Sequence, residues 1–297
     1  MTVERQAMLC GLGAVALWST VATAFKVALA YMSPLELMCL AALVSWLLMG
    51  VLVYRDGGMT QALRQGWRTA AWAGLMNPAA YYLILFAAYD RLPGQEAMAL
   101  NYTWALAMAF LAVPILGQRL TRTDILAGVI AYAGVWVIAT RGAVMDVAFA
   151  DPLGVACALA STLVWALYWL LNARDPRPPL IAQWQNFSIG LPVLILLLLW
   201  GPGIQWHGFM ALGAGIYVGL FEMGVAFVLW QFAVQRISRT ARVANLIFLS
   251  PPVSLLLLNL VVGEPILPST LIGLVLILGG LALQQSQQAP DVAVDHS

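Results

Sequence analysis

Few side chains in this sequence carry charge inside an apolar run, and those few bound the chemistry open to it. Lys26, in "LWSTVATAFKVALAY", is the only lysine of the chain. A charge at mid-bilayer costs ~2.5–3.5 kcal/mol on insertion scales, and less near the interface. Lys26 lies five residues before Tyr31, so its Cα sits about 7 Å below the outer end of the helix. Two roles stay open. The side chain can snorkel to the headgroups, or it can point inward along the face it shares with Ser19, Ala22 and Thr23. Glu36, just after Pro34 at similar depth, is the acid expected to pair with it. Such a pair would hold the outer ends of the first two helices or guard the mouth of a cavity.

Glu222, in "YVGLFEMGVAF", is the most centrally placed acid. Burial disfavours the charged form of a carboxyl. Glu222 therefore reads as a substrate-ammonium site, as a proton-coupling group, or as a protonated carboxyl hydrogen-bonded to a neighbouring helix. Glu96 falls in the first turn of a span, where the helix dipole is sufficient explanation. Asn101, in "NYTW", is at mid-depth, and a buried amide must be paired. Asn77-Pro78 and Ser250-Pro251-Pro252 mark breaks that free backbone carbonyls, tolerated where protein or trapped water satisfies them. Asn77, Asn101 and Ser250 are candidates for a cavity lining or for stabilising kinks.

Trp200, Trp206, Tyr31 and Tyr54 fit an interfacial belt. Tyr81, Tyr82, Trp104, Trp165, Tyr168 and Trp169 lie deeper. Trp165 and Tyr168 are three apart and share a face. Aromatic walls suit a flat apolar side chain, and they serve equally as bundle packing. His207 falls in a loop and His296 in the tail, so no metal cluster and no cofactor is expected. No phosphate-cradling glycine loop is present, and no His, Asp and Ser are paired at depth for catalysis. The near-neutral charge and the lack of a basic patch speak against nucleic acid.

Long helices must position these side chains. Of 297 residues, 62% are hydrophobic and 9% charged, against about 25% charged in soluble domains. Apolar runs of ~20 residues, each long enough to cross the hydrocarbon, recur along the sequence. Ten spans are expected: 7–31, 34–54, 68–90, 94–116, 123–140, 152–173, 179–200, 208–235, 240–261 and 268–285. The first run outlasts a secretory signal and reads as an uncleaved span. Cys10, Cys39 and Cys157 all sit in apolar segments and read as small hydrophobes. The arginines between spans fall mostly on the side of the N-terminus: Arg5, Arg55, Arg64, Arg68, Arg119, Arg122, Arg174, Arg177, Arg236, Arg239 and Arg242. Only Arg91 and Arg141 fall opposite. By the positive-inside rule both termini are cytoplasmic.

The two halves resemble each other. "LWSTVATAFK" parallels "LVWALYWLLNA", and Trp18 falls on Trp165. Further on, Arg91 falls on Arg236, Gly117 on Gly263, Gly128 on Gly273 and Gly134 on Gly279. Each half holds five spans, an odd number, so the second half is expected upside down relative to the first. Residues 1–141 form one repeat, 151–286 its inverted partner, and 287–297 a disordered cytoplasmic tail. Inverted repeats place a binding site near the bilayer midplane between them. This architecture is an all-α integral membrane protein built for transport. Two halves in one chain make a monomer the expectation.

"LWST", "NYTW", "GQRLT" and "SPP…VGEPI" together resemble the EamA-type carriers of the drug/metabolite transporter superfamily. Within it, "LWST" with "NYTW" and "GQ" is most similar to the YddG-type aromatic amino acid exporters. The resemblance covers essentially the whole chain. It implies a bacterial inner-membrane exporter of amino acids, aromatic ones included. Trp104, Trp165, Tyr82 and Tyr168 would contact the substrate side chain, and Asn101, Ser19 and Glu222 would meet its amino and carboxyl groups.

Overall fold

The computed structural model describes residues 3–117, 121–145, 151–172, 175–201, 203, 205, 207–236 and 245–287. Arg119, Arg174, Trp206, Arg239, Arg242, His296 and the tail from residue 288 lie outside them. Among the described residues every regular element is a helix. We label them α1 (Val3–Leu29), α2 (Pro34–Arg55), a short α3 (Met59–Arg64), α4 (Trp67–Arg91), α5 (Gly94–Asn101 and Trp104–Leu116) and α6 (Arg122–Ala139). The second half holds α7 (Pro152–Asn172), α8 (Pro179–Trp200), α9 (Gly208–Tyr217, Val218–Val225 and Ala226–Arg236), α10 (Asn245–Leu249, Ser250–Leu257 and Leu258–Val262) and α11 (Pro268–Gln287).

Eight of these helices are long and apolar enough to cross a membrane, and the apolar stretches Ser250–Val262 and Pro268–Leu283 are shorter. The first five residues expected of the ninth span (240–244) fall outside the described residues, which shortens α10. Leu47, Val51, Leu126, Val129, Leu260 and Val275 all project outward, exposed. So large an apolar exterior needs hydrocarbon around it. The protein is a multi-pass membrane protein.

Local sequence sets where the helices start and stop. Ser33 and Glu36 form a reciprocal capping box ahead of α2, with Pro34 at its first position. Thr121 and Asp124 do the same for α6. Asp151 accepts from the backbone N–H of Gly154 at 2.8 Å and starts α7. That hydrogen bond, with Arg91 adding to it, holds its carboxyl below the ordinary carboxylate range. Gly117 and Gly263, with φ of 70° and 78°, end α5 and α10 in the left-handed conformation that glycine reaches without a Cβ clash.

The principal packing pairs are α6 with α11, α2 with α8, α1 with α9 and α10, and α7 with α4 and α5. The α6–α11 contact depends on small residues. A Cβ at Gly134 would stand 2.5 Å from the carbonyl oxygen of Gly273, and one at Gly273 would stand 2.6 Å from that of Gly134. Helices α4, α5 and α9 are each irregular at mid-depth. In α4, Asn77 is extended (φ −137°, ψ 112°) just before Pro78. In α5, the helix breaks at Tyr102–Thr103. In α9, the turns around Glu222 are widened over Val218–Val225. Broken backbone at this depth is tolerated where it faces protein or a cavity.

Candidate functional site

The irregular parts of α5 and α9 meet around a cavity of about 360 Å³, to which α1, α4, α7, α10 and α11 also contribute. This lies in the size range of small-molecule sites. Its walls are aromatic. Trp165 of α7 is the hub: Tyr81 stacks on it at 4.3 Å and 22°, Trp169 meets it edge-on at 5.6 Å, and Phe227 does so at 6.1 Å. Trp18 of α1 packs against Phe227 and Trp230 on the other side. Trp104 completes the lining from α5.

Glu222 lines this cavity. Its Oε1 accepts the Tyr82 hydroxyl at 3.2 Å, while its buried Oε2 has no partner among the described residues. Among the described lining residues Glu222 is the one acid, and no lysine, arginine or histidine faces it there. Tyr82 itself is fully buried behind the wall and serves as the donor that orients the carboxyl. Asn101 lines the cavity too, donating to Ser161 Oγ at 3.2 Å and accepting from Tyr81 at 3.5 Å.

Two other candidate residues stand behind the lining. Tyr168 stacks on the far side of the Trp165 site at 5.6 Å and accepts from Asn186 at 3.4 Å. Ser19 donates to Val15 O at 2.7 Å, and its carbonyl accepts from Ser254 at 2.7 Å, which ties α1 to α10. Its hydroxyl is thereby committed to its own helix.

Lys26 and Glu36 are not paired with each other. The Lys26 ammonium donates to the carbonyls of Tyr89 (2.9 Å) and Leu92 (3.1 Å). These are orphan acceptors at the C-terminus of α4, where the helix dipole favours a cation. Glu36 is taken up by its own capping box and by His207, 2.8 Å away at the start of α9. Depth alone matched Lys26 to Glu36, but the backbone of the α4–α5 corner offered the lysine a closer partner.

That corner is gripped from three sides. Beside Lys26, the Glu264 carboxylate accepts the backbone N–H groups of Gly94 (2.8 Å) and Gln95 (3.2 Å), capping the N-terminus of α5 from the other half of the chain. Gln95 returns its amide to the carbonyls of Glu264 and Pro265. Glu96, only 2% exposed, pairs with Arg141 at 2.8 Å. Together with Arg91 these groups line a second, polar pocket of about 410 Å³. Trp18 lies eight residues before Lys26 on α1, and Trp104 eight residues after Glu96 on α5. Both aromatic positions are therefore about 12 Å from the polar corner along their helices. The aromatic cavity extends away from this corner, toward the side where α1 begins.

Sequence reasoning missed Glu264, Trp18 as a lining residue, and Phe227 and Trp230. Glu264 had a signal, since Gly263 before it matches Gly117 and an acid just past a helix end is free to cap a neighbour. Phe227 and Trp230 sit in an unbroken apolar stretch, where nothing local distinguishes lining from packing.

The EamA-like transporter family model matches residues 5–140 and again 152–284. A "Probable terminal-alkyne amino-acid exporter" of Streptantibioticus cattleyicolor is 28% identical, with 72% of this chain and 71% of the relative covered. An uncharacterised protein of Pseudomonas aeruginosa is 31% identical over 80% of this chain and 79% of its own length. A solved crystal structure shares the fold at a TM-score of 0.67 and 24% identity, covering 95% of this chain and 96% of its own. Two matches to one family model, an aromatic cavity inside a bundle of membrane-length helices and relatives of the same build lead to one conclusion: the chain belongs to the EamA-like transporter family of the drug/metabolite transporter superfamily.

Proposed function

We propose that this transporter exports small amphiphilic metabolites, amino acids and aromatic ones among them, across the bacterial inner membrane by alternating access. The observation that carries the reading is the cavity itself. Aromatic walls from Trp18, Trp104 and Trp165 surround one carboxyl, Glu222, with the polar corner of Lys26, Glu264 and Glu96 closing one end. The flat walls suit an aromatic or long apolar side chain, and the carboxyl suits its ammonium. The relative named as an amino-acid exporter supports the direction and the class of cargo.

In this reading ten spans form two inverted repeats, residues 1–141 and 151–286, in a monomer resembling the YddG-type exporters, with both termini cytoplasmic. The packing supports it, because exchanging the two halves exchanges the contacts. The first helix of the first half packs on the third and fourth spans of the second, and the first helix of the second half packs on the third and fourth of the first. The second and fifth spans pair with their own counterparts. With the termini inside, the cavity faces the cytoplasm and the polar corner is the closed outer gate. Trp104 and Trp165 contact the substrate side chain, Tyr82 and Tyr168 fix those walls and the acid from behind, and Asn101 and Glu222 meet the polar end.

Cells expressing the protein are expected to tolerate dipeptides that release phenylalanine at concentrations toxic to cells without it. Growth no better than that of the empty-vector strain, with raised resistance to a quaternary amine, would instead assign the cavity to cationic drugs.

A further inference from the structure

The cavity holds two buried polar atoms without partners, and they are of opposite kinds. Glu222 Oε2 can only accept while ionised, and the indole Nε1–H of Trp169 can only donate. Both side chains line the same cavity, Glu222 from α9 and Trp169 from α7. Each atom is buried and without a partner in this state, so a ligand engages it by turning the side chain toward the cavity and satisfies a hydrogen bond that is otherwise unmade. A molecule that engaged both would recover what the empty state lacks, which is the condition for selective binding.

The charges around these atoms are unequal. The negative pole has a carboxyl held by Tyr82. Every other donor of the described lining is neutral, a tyrosine or serine hydroxyl, an indole or the Asn101 amide, and that amide is already engaged with Ser161. Lys26 is the basic group nearest along α1, and its ammonium is committed to the α4 carbonyls in the polar pocket. A substrate ammonium therefore meets a carboxyl able to carry the opposite charge, whereas a substrate carboxylate meets dipoles alone among the described residues.

Resting on the reading of this cavity as the transport site, we propose that it selects two-ended amines. The ammonium is obligatory and settles on Glu222, while any hydrogen-bond acceptor on the same molecule, charged or neutral, takes the Trp169 N–H. An amino acid is then one member of a wider class that includes its amides and esters. Trp169 is the residue that distinguishes ligands with an acceptor from those without.

Ligand-induced thermal stabilisation of the purified full-length protein tests this without relying on transport. The probes are phenylalanine, phenylalaninamide, phenethylamine (ammonium, no acceptor) and hydrocinnamate (carboxylate, no ammonium). Phenylalaninamide should stabilise at concentrations within about threefold of phenylalanine, and hydrocinnamate should need at least ten times more. In Trp169→Phe, which keeps an aromatic ring, the concentrations needed for phenylalanine and its amide should rise roughly tenfold for the lost hydrogen bond. Phenethylamine, which has no acceptor for the indole, should weaken far less than the amide, and its remaining stabilisation reports that the variant is folded. Hydrocinnamate matching phenylalanine, or Trp169→Phe weakening phenethylamine as much as the amide, would overturn the proposal. If phenylalanine is not exported yet the amine series still binds in this order, the amino-acid reading fails and the two-ended amine site stands.

Discussion

Among the described residues that line the aromatic cavity Glu222 is the one carboxyl, and its hydrogen-bond partner is Tyr82. Replacing Glu222 with Gln keeps the shape and an acceptor but removes the charge, so phenylalanine transport into proteoliposomes should fall at least tenfold. If Glu222 also carries the coupling proton, the residual transport of Glu222→Gln should no longer respond to a pH gradient. Equal transport by both proteins, with and without the gradient, would exclude it from either role. The depth of Glu222 was legible from its place in an apolar run, and so was the pairing need of Asn101. What could not be read was which hydroxyls are free. Ser19 looks in sequence like a cavity residue, yet a serine within a helix can return its hydroxyl to the carbonyl four residues back, as Ser19 does to Val15. Lys26 shows the same limit, because spacing reveals no backbone carbonyls at the end of a distant helix.

Between elements, the decisive contacts cluster at the α4–α5 corner. Glu264 caps α5 from α10's end, Lys26 caps α4 from α1, and Arg141 reaches Glu96 from the end of α6. A carboxylate at a helix N-terminus and an ammonium at a C-terminus are both placed where the helix dipoles favour them. If this is the closed outer gate, Glu264→Ala should loosen it. A cysteine replacing Met98, in a background lacking Cys10, Cys39 and Cys157, should then be labelled several-fold faster by a membrane-impermeant thiol reagent added outside. Unchanged labelling would mean that the corner is structural rather than a gate. The caps at Ser33 and Thr121 emerge from the structure, whereas helix positions were legible from the apolar runs. The break at Tyr102–Thr103 and the widened turns around Glu222 were not, since no proline marks either one.

Across the whole molecule, the apolar exterior and the exchange of contacts between halves fit one design. A bundle of membrane-length helices encloses an aromatic cavity beneath the polar α4–α5 corner, and Asp175, Arg177, Gln185 and Asn186 form a further buried polar network away from both. In the proposed orientation, with the arginine-rich side cytoplasmic, the cavity is inward-facing and loads cargo for export. The proposed repeat draws on paired glycines, of which Gly128, Gly134 and Gly273 sit at close contacts that admit no Cβ, while Gly117 and Gly263 end helices at positive φ. The cargo was not visible, because walls of Trp and Tyr fit many flat molecules. Efflux of radiolabelled phenylalanine from proteoliposomes holding the purified wild-type protein decides the matter most directly. Efflux should run well above that of protein-free vesicles and saturate with internal phenylalanine; loss no faster than from protein-free vesicles would contradict the proposed function.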